Sequence, residues 1–219
     1  MLHLVPTPIG NLEDMTYRAV RVLNEVSLIL CEDTRTSSLL LSHYEIHTPL
    51  KSYHIFNEHQ SLQSIIDILL QSEEVALITD AGTPTISDPG FLLVRECIKN
   101  NIEIECLPGS TAFVPALVSS GFSTDRFLFE GFLPHKKGRK QRLEQLKTAG
   151  CTIVLYESPY RVGKLLNELM EVFDQEKLVC ICRELTKLHE EKIRGSLREL
   201  YEEYKDKQFR GEIVVVISK

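Results

Sequence analysis

From its first residues the chain alternates short apolar runs with stretches whose apolar residues recur at helical spacing. The runs at 2–6, 27–32, 50–55, 75–80 and 102–107 have the length of buried strands. Between them, 14–25, 36–43, 60–71 and 90–100 place apolar side chains three and four apart, as in Ala19, Val20, Leu23 and Val26. That spacing predicts helices with one apolar face. Strand–helix alternation predicts a largely parallel sheet covered by helices, because parallel neighbours need a crossover between them. Turn residues gather at the carboxyl ends of the predicted strands: Pro6-Thr7-Pro8-Ile9-Gly10-Asn11, Asp80-Ala81-Gly82-Thr83-Pro84 and Pro108-Gly109-Ser110-Thr111. Open parallel sheets bind ligands at those ends.

A second alternating series follows Ser119-Ser120-Gly121-Phe122-Ser123, with strands predicted at 127–132, 152–157, 178–183 and 212–218 and helices at 139–149, 161–173 and 196–206. The fold class read from the pattern is α/β, in two domains, 1–117 and 118–219, with the boundary near 115–123. No low-complexity segment or internal repeat interrupts it.

Composition narrows the class. At 219 residues and 43% hydrophobic, the chain can bury a substantial core. No apolar run approaches the roughly 20 residues of a membrane span. Met1-Leu2-His3-Leu4-Val5 lacks the basic start of a signal peptide and reads as a first strand. The expected location is the cytoplasm, with no membrane partner. The six cysteines show no metal or redox spacing and read as reduced core residues; Cys180 and Cys182, two apart on a strand, should share a face. His189-Glu190-Glu191 begins like a zinc-protease helix, but position 193 is Ile, so no metal is expected. A formal net charge of −6 argues against nonspecific coating of nucleic acid. One local basic cluster stands out: Lys136, Lys137, Arg139, Lys140 and Arg142. It suits phosphate contacts or, equally, a solvated helix start.

Neither a G-x-G-x-x-G fingerprint nor a Walker A string is present. Six other strings are: Val5-Pro6-Thr7-Pro8-Ile9-Gly10-Asn11-Leu12-Glu13-Asp14, Glu32-Asp33-Thr34-Arg35, Thr79 through Gly90, Pro108-Gly109-Ser110-Thr111-Ala112, Tyr156-Glu157-Ser158-Pro159-Tyr160-Arg161, and Arg183-Glu184-Leu185-Thr186-Lys187. In content and order they closely resemble the 16S ribosomal RNA (cytidine-2′-O)-methyltransferases, a branch of the tetrapyrrole-methylase superfamily, over nearly the whole chain. Thr79, Thr85 and Tyr160 depart from that pattern, which more often shows Ser, Gly and His there. The chain ends after its last strand, where many members continue into a helical extension.

The resemblance implies two α/β domains with a cofactor cleft between them, a homodimer, S-adenosylmethionine as cofactor, and 16S ribosomal RNA, within the small subunit, as partner. The implied reaction is 2′-O-methylation of a decoding-centre cytidine. Carried over position by position, Pro8 shapes the cleft floor, and Asp80, Gly82 and Thr83 surround the methionine part of the cofactor. Thr111 and Ala112 add contacts, Tyr156 and Glu157 reach in from the second domain, and Leu185 lies near the adenine. These roles are chemically sensible. A carboxylate suits an ammonium and a sulfonium, a glycine lets the backbone approach closely, and the start of a helix offers free N–H groups.

Methyl transfer needs an aligned acceptor hydroxyl and an outlet for its proton. The acid–base candidates are Asp33, Arg35, His54, Glu58, Glu184 and Lys187, and the sequence does not choose among them. Asp33 and Arg35 could equally be a capped helix start with an ion pair. The chain has no Trp, and its Tyr and Phe residues fall mostly in strand and helix patterns. The acceptor-side strings are polar, which favours a ribose over a stacked base. Two alternatives stand beside this reading: a tetrapyrrole C-methyltransferase of the same fold, and a noncatalytic ribosome-assembly factor.

Overall fold

A computed structural model describes residues 1–219. The chain divides into two compact units, Met1–Thr111 and Ala112–Lys219.

In the first unit, β1 (Leu2–Leu4), β2 (Leu28–Cys31), β3 (Leu50–Ser52), β4 (Val75–Leu77) and β5 (Ile104–Cys106) form one sheet in the order β3-β2-β4-β1-β5. Every pairing in it is parallel. The connecting helices are α1 (Tyr17–Glu25), α2 (Thr34–His43), α3 (Glu58–Leu70) and α4 (Phe91–Lys99). Alternate strand residues point to opposite faces, and both faces are buried. Val5, Ile29, Cys31, Ala76 and Ile78 pack with Ala19, Val22 and Leu23 of α1. Leu2, Leu4, Leu30, Val75 and Leu77 pack with Ile65, Leu69 and Leu93 of α3 and α4. Burial on two faces is why these strands read as continuous apolar runs. Helix α1 starts at Tyr17, later than its periodicity suggests, because Leu12–Asp14 forms a separate 3-10 turn. The Thr16 hydroxyl then accepts the Ala19 N–H as the cap of α1.

The second unit carries α5 (Phe113–Ser120), β6 (Phe127–Phe132), α6 (Arg139–Lys147), β7 (Thr152–Glu157), α7 (Val162–Val172), β8 (Leu178–Arg183), β9 (Glu191–Ser196), α8 (Leu197–Tyr204) and β10 (Ile213–Ile217). Its sheet runs β6-β7-β10-β8-β9. Only β6 and β7 pair in parallel; the pairings of β10 with β7 and β8, and of β8 with β9, are antiparallel. Central β10, Ile213-Val214-Val215-Val216-Ile217, is buried throughout. Ser196 and Glu199 close a capping box at α8.

Two elements differ from the sequence reading. Helix α5 spans the expected boundary at 117/118 and belongs to the second unit, lying against β7, β8 and β10. The break therefore falls at Thr111/Ala112. Strand β9 went unpredicted because it is a charged edge strand, with Glu191, Lys192 and Arg194 among its residues. The segment His189-Glu190-Glu191 leads into that strand and not into a helix. All six cysteines are free; Cys106 is exposed, not a core residue, because it ends edge strand β5. Cys180 and Cys182 do share a face, with sulfurs 3.7 Å apart.

Candidate functional site

At the carboxyl ends of the first sheet, three loops are sewn together. Thr7 N–H donates to the Gly82 carbonyl and Gly82 N–H to the Thr7 carbonyl, both at 2.9 Å. The Thr7 hydroxyl donates to the Thr79 carbonyl at 2.9 Å, and the Thr83 hydroxyl to the Ser110 carbonyl at 2.9 Å. Gly82 sits at φ 88°, where a side chain would be strained. Thr85 and Ser87, farther along the same loop, also have positive φ. For a β-branched residue that is a costly conformation, of the kind that collects at ligand-binding loops. Gly109 permits the approach of the β5 loop to the β1 loop: a Cβ there would lie 2.7 Å from that of Pro6.

Beside these loops lies a cleft of ≈ 270 Å³ whose walls include Pro8, Thr36, Leu39, Leu40, Thr79 and Asp80. The Asp80 carboxylate accepts the Asp33 N–H at 3.3 Å. Its pKa is raised, first by partial desolvation and then by the Asp33 charge, against the lowering effect of that hydrogen bond. Asp33 is the cap of α2. Its carboxylate accepts the Arg35 N–H at 2.8 Å and pairs with the guanidinium at 2.6 and 3.1 Å, which holds its pKa at about 2. Asp33 and Arg35 therefore form the capped ion pair that their spacing allowed. On the turn after β3, His54 accepts the Phe56 N–H at its Nδ1, and Glu58 opens α3. The Phe56 ring stands edge-on to the imidazole and is 90% exposed. Tyr160, on a turn of the second unit, is exposed as well. Phe56 and Tyr160 are exposed members of a set of aromatic residues that lies mostly in strands and helices, as the sequence pattern predicts.

In the second unit several predicted side chains are already engaged. Glu157 is buried and accepts from Arg139 Nη2 at 2.8 Å and Arg161 Nε at 2.7 Å. Arg139, 3% exposed, also donates to Glu168 at 2.7 Å. Burial opposes the Arg139 charge, but the two carboxylates outweigh it and raise its pKa. Arg142 pairs with Glu130 at 2.6 Å. Of the five cations in the basic cluster, Arg139 and Arg142 are thus internal partners, whereas Lys136, Lys137 and Lys140 are exposed. This corrects the reading of the cluster as five phosphate contacts: acids distant in sequence claim both arginines. Glu184 and Lys187 likewise form a clasp. Lys187 Nζ reaches Glu184 at 2.9 Å and Glu212 at 3.0 Å, and the Glu212 N–H donates to Glu184 at 2.9 Å. Burial would raise the Glu184 pKa, but the Glu212 N–H and the Lys187 ammonium bring it below its ordinary value. Glu184 and Thr186 sit at positive φ, and Leu185 between them is buried. Tyr156 is half-buried, edge-on to Phe129 and Phe132. Thr111 and Ala112 immediately precede α5, whose first turn lacks a side-chain cap.

Glu32, quoted in a family string but not among the acid–base candidates, lies half-buried beyond the end of β2. Burial, then the Asp80 charge, raises its pKa; the His54 ring opposes them. The signal that could have found it is its place at a strand's carboxyl end.

The family described as Tetrapyrrole (Corrin/Porphyrin) Methylases matches residues 1–201. A Hydrogenobaculum protein named ribosomal RNA small subunit methyltransferase I is 47% identical, over 100% of this chain and 95% of its own length. Its namesake from Thermotoga maritima is 44% identical over 99% and 97%. Among solved structures, cobalt precorrin-4 methyltransferase matches with TM-score 0.70 at 16% identity, covering 99% of this chain and 94% of its own. Uroporphyrin-III C-methyltransferase from Thermus thermophilus, complexed with S-adenyl homocysteine, matches with TM-score 0.68 at 18% identity over 100% and 97%. The sewn loops, the two α/β units and these likenesses agree: the chain belongs to the tetrapyrrole (corrin/porphyrin) methylase family, in its ribosomal RNA small subunit methyltransferase I branch.

Proposed function

We propose that the protein transfers a methyl group from S-adenosylmethionine to the ribose 2′-hydroxyl of a decoding-centre cytidine in 16S ribosomal RNA. It acts as a cytoplasmic homodimer on the small ribosomal subunit. The observation that carries the reading is the 47% identity, over the whole chain, to a protein named for small-subunit RNA methylation. The cleft of ≈ 270 Å³ beside the sewn loops lies just below the usual span of ligand pockets, about 300–1,000 Å³. The test is methyl transfer to small subunits purified without the modification, followed by nucleoside mass spectrometry. 2′-O-methylcytidine is the expected product. A methyl on the base would overturn the ribose assignment, and transfer to a tetrapyrrole alone would overturn the RNA assignment.

The residues present fit the cofactor. Asp80 offers a carboxylate to its cationic groups, and the Gly82 backbone is free of a Cβ at the point of approach. Pro8 and Thr83 shape the loop. The bound cofactor supplies the methyl group and a good leaving group. Replacing Asp80 with Ala is expected to weaken cofactor binding at least tenfold in calorimetry. Equal affinity would remove Asp80 from the binding loop.

Lys136, Lys137 and Lys140 make the phosphate contacts. Reversing Lys136 and Lys137 to Glu should lower the slope of log affinity against log salt by about 0.7–0.9 per lost contact, with cofactor affinity unchanged. A wild-type slope would return the cluster to a solvated helix start.

A further inference from the structure

We propose that Glu32 accepts the proton of the acceptor hydroxyl during methyl transfer. This rests on the methyl-transfer reading above and assigns a role which that reading leaves open.

Position is the first argument. Glu32 follows β2 directly, at the sheet end where open parallel folds collect their reactive groups. The two strands that flank β2 deliver their own end residues beside it: Asp80 after β4 and His54 after β3.

Elimination is the second, and of the carboxylates on these turns it leaves Glu32 and Glu58; Glu58 sits in the first turn of α3, where its charge suits the helix start, and not at a strand's end. Asp33 is committed to Arg35 and to the cap of α2, and a carboxylate with a pKa of about 2 is a poor proton acceptor. Asp80 holds the Asp33 N–H and carries the cofactor assignment. Glu184 is closed into the clasp with Lys187 and Glu212. His54 Nδ1 is occupied by the Phe56 N–H. The Glu32 side chain has no such engagement; the titratable groups that face it are Asp80, His54 and Asp33.

The chemistry then balances. The hydroxyl oxygen bonds to the methyl carbon as the carbon–sulfur bond breaks. The sulfur keeps the electron pair and leaves as a neutral thioether, and the hydroxyl proton ends on a Glu32 oxygen. A carboxylate and a sulfonium become a neutral acid and a neutral thioether. Partial burial, which disfavours an isolated charge, therefore favours the products. Burial and the Asp80 charge also make Glu32 a stronger base than an exposed glutamate.

The test is single-turnover methylation of small subunits at saturating cofactor, as a function of pH. Because the ionised form is active, the wild-type rate should rise through the raised Glu32 pKa and then level off. Glu32→Gln should lose about 10²- to 10⁴-fold in rate and should lose that acid limb. Its cofactor affinity by calorimetry and its RNA affinity should stay within twofold of wild type. Glu32→Asp, which keeps a carboxylate one methylene shorter, should be slow but retain the limb, and it serves as the test if the Gln variant fails to fold. A near-wild-type rate for Glu32→Gln, or a reduced rate with the acid limb intact, would overturn the proposal. So would loss of the limb in Glu32→Asp. If the wild-type protein leaves the ribose unmethylated, the functional reading itself fails; if only the Glu32 variants behave as wild type, this proposal alone does.

Discussion

Arg139→Met is expected to destabilise the second unit by about 3 kcal/mol or more, the range found when one partner of a buried ion pair is removed. Arg139 and Glu157 are both buried, and Arg139 also ties Glu168 to the same junction. The methionine fills most of the volume of the lost side chain, so the main cost is a carboxylate left without one of its two cations. Arg161 remains beside Glu157 and limits the damage. Arg139→Met combined with Glu157→Gln should recover part of the loss, since the orphaned charge is gone. Urea unfolding followed by circular dichroism measures all three proteins. A single-variant loss below about 1 kcal/mol would place the junction among solvated pairs, which contribute little. The folded fraction of Arg139→Met should bind RNA with an unaltered salt slope, because Arg139 faces the interior.

The same residue shows what a linear sequence conceals. Arg139 stands in a run of cations, and nothing local marks it as different from Lys140. Its partners lie 18 and 29 positions away and meet it only after β7 and α7 have packed. Period and burial are more visible. Val214, Val215 and Val216 read as strand because β10 is covered on both sides. Where two elements escaped, the cause is local. The apolar stretch of α5 carries Pro115 and few polar residues, so it shows no helical stripe, although a proline in the first turn is tolerated there. Strand β9 alternates charge where a buried strand would show apolar residues.

For the candidate site, the sequence pointed to the loops and missed the allocation of charges within them. Glu32 and Asp33 are adjacent acids of equal standing on paper. Helix α2 begins at Thr34, so its capping geometry recruits Asp33, and Arg35 completes the ion pair. That leaves Glu32 facing Asp80 and His54, residues delivered by neighbouring strands. Strand order, which no periodicity encodes, makes this assignment. Gly82 was legible because a backbone demand such as its φ of 88° is local and leaves a glycine in the sequence.

Replacing the ribose of the target cytidine with deoxyribose, in an otherwise intact small subunit, is expected to reduce methyl incorporation below detection. The substitution removes the nucleophilic oxygen itself, so no rearrangement of the site can compensate. Deoxyribose at a neighbouring nucleotide should leave incorporation largely intact, which separates loss of the acceptor from a general change in sugar pucker. Altering the exocyclic group of the cytosine should cost less, because it perturbs recognition without removing a reacting atom. The residues around Asp80 fit that division. Glu32 supplies a carboxylate suited to a hydroxyl that must give up its proton, while the exposed Phe56 ring offers a surface on which an unstacked base can rest. Phe56→Ala should therefore raise the substrate concentration needed for half-maximal rate more than it lowers the maximal rate, whereas the deoxy substrate should bind and fail to react. Robust methylation of the deoxy substrate, measured by the same nucleoside mass spectrometry, would move the acceptor from the ribose to the base and would leave methyl donation as the surviving half of the functional reading.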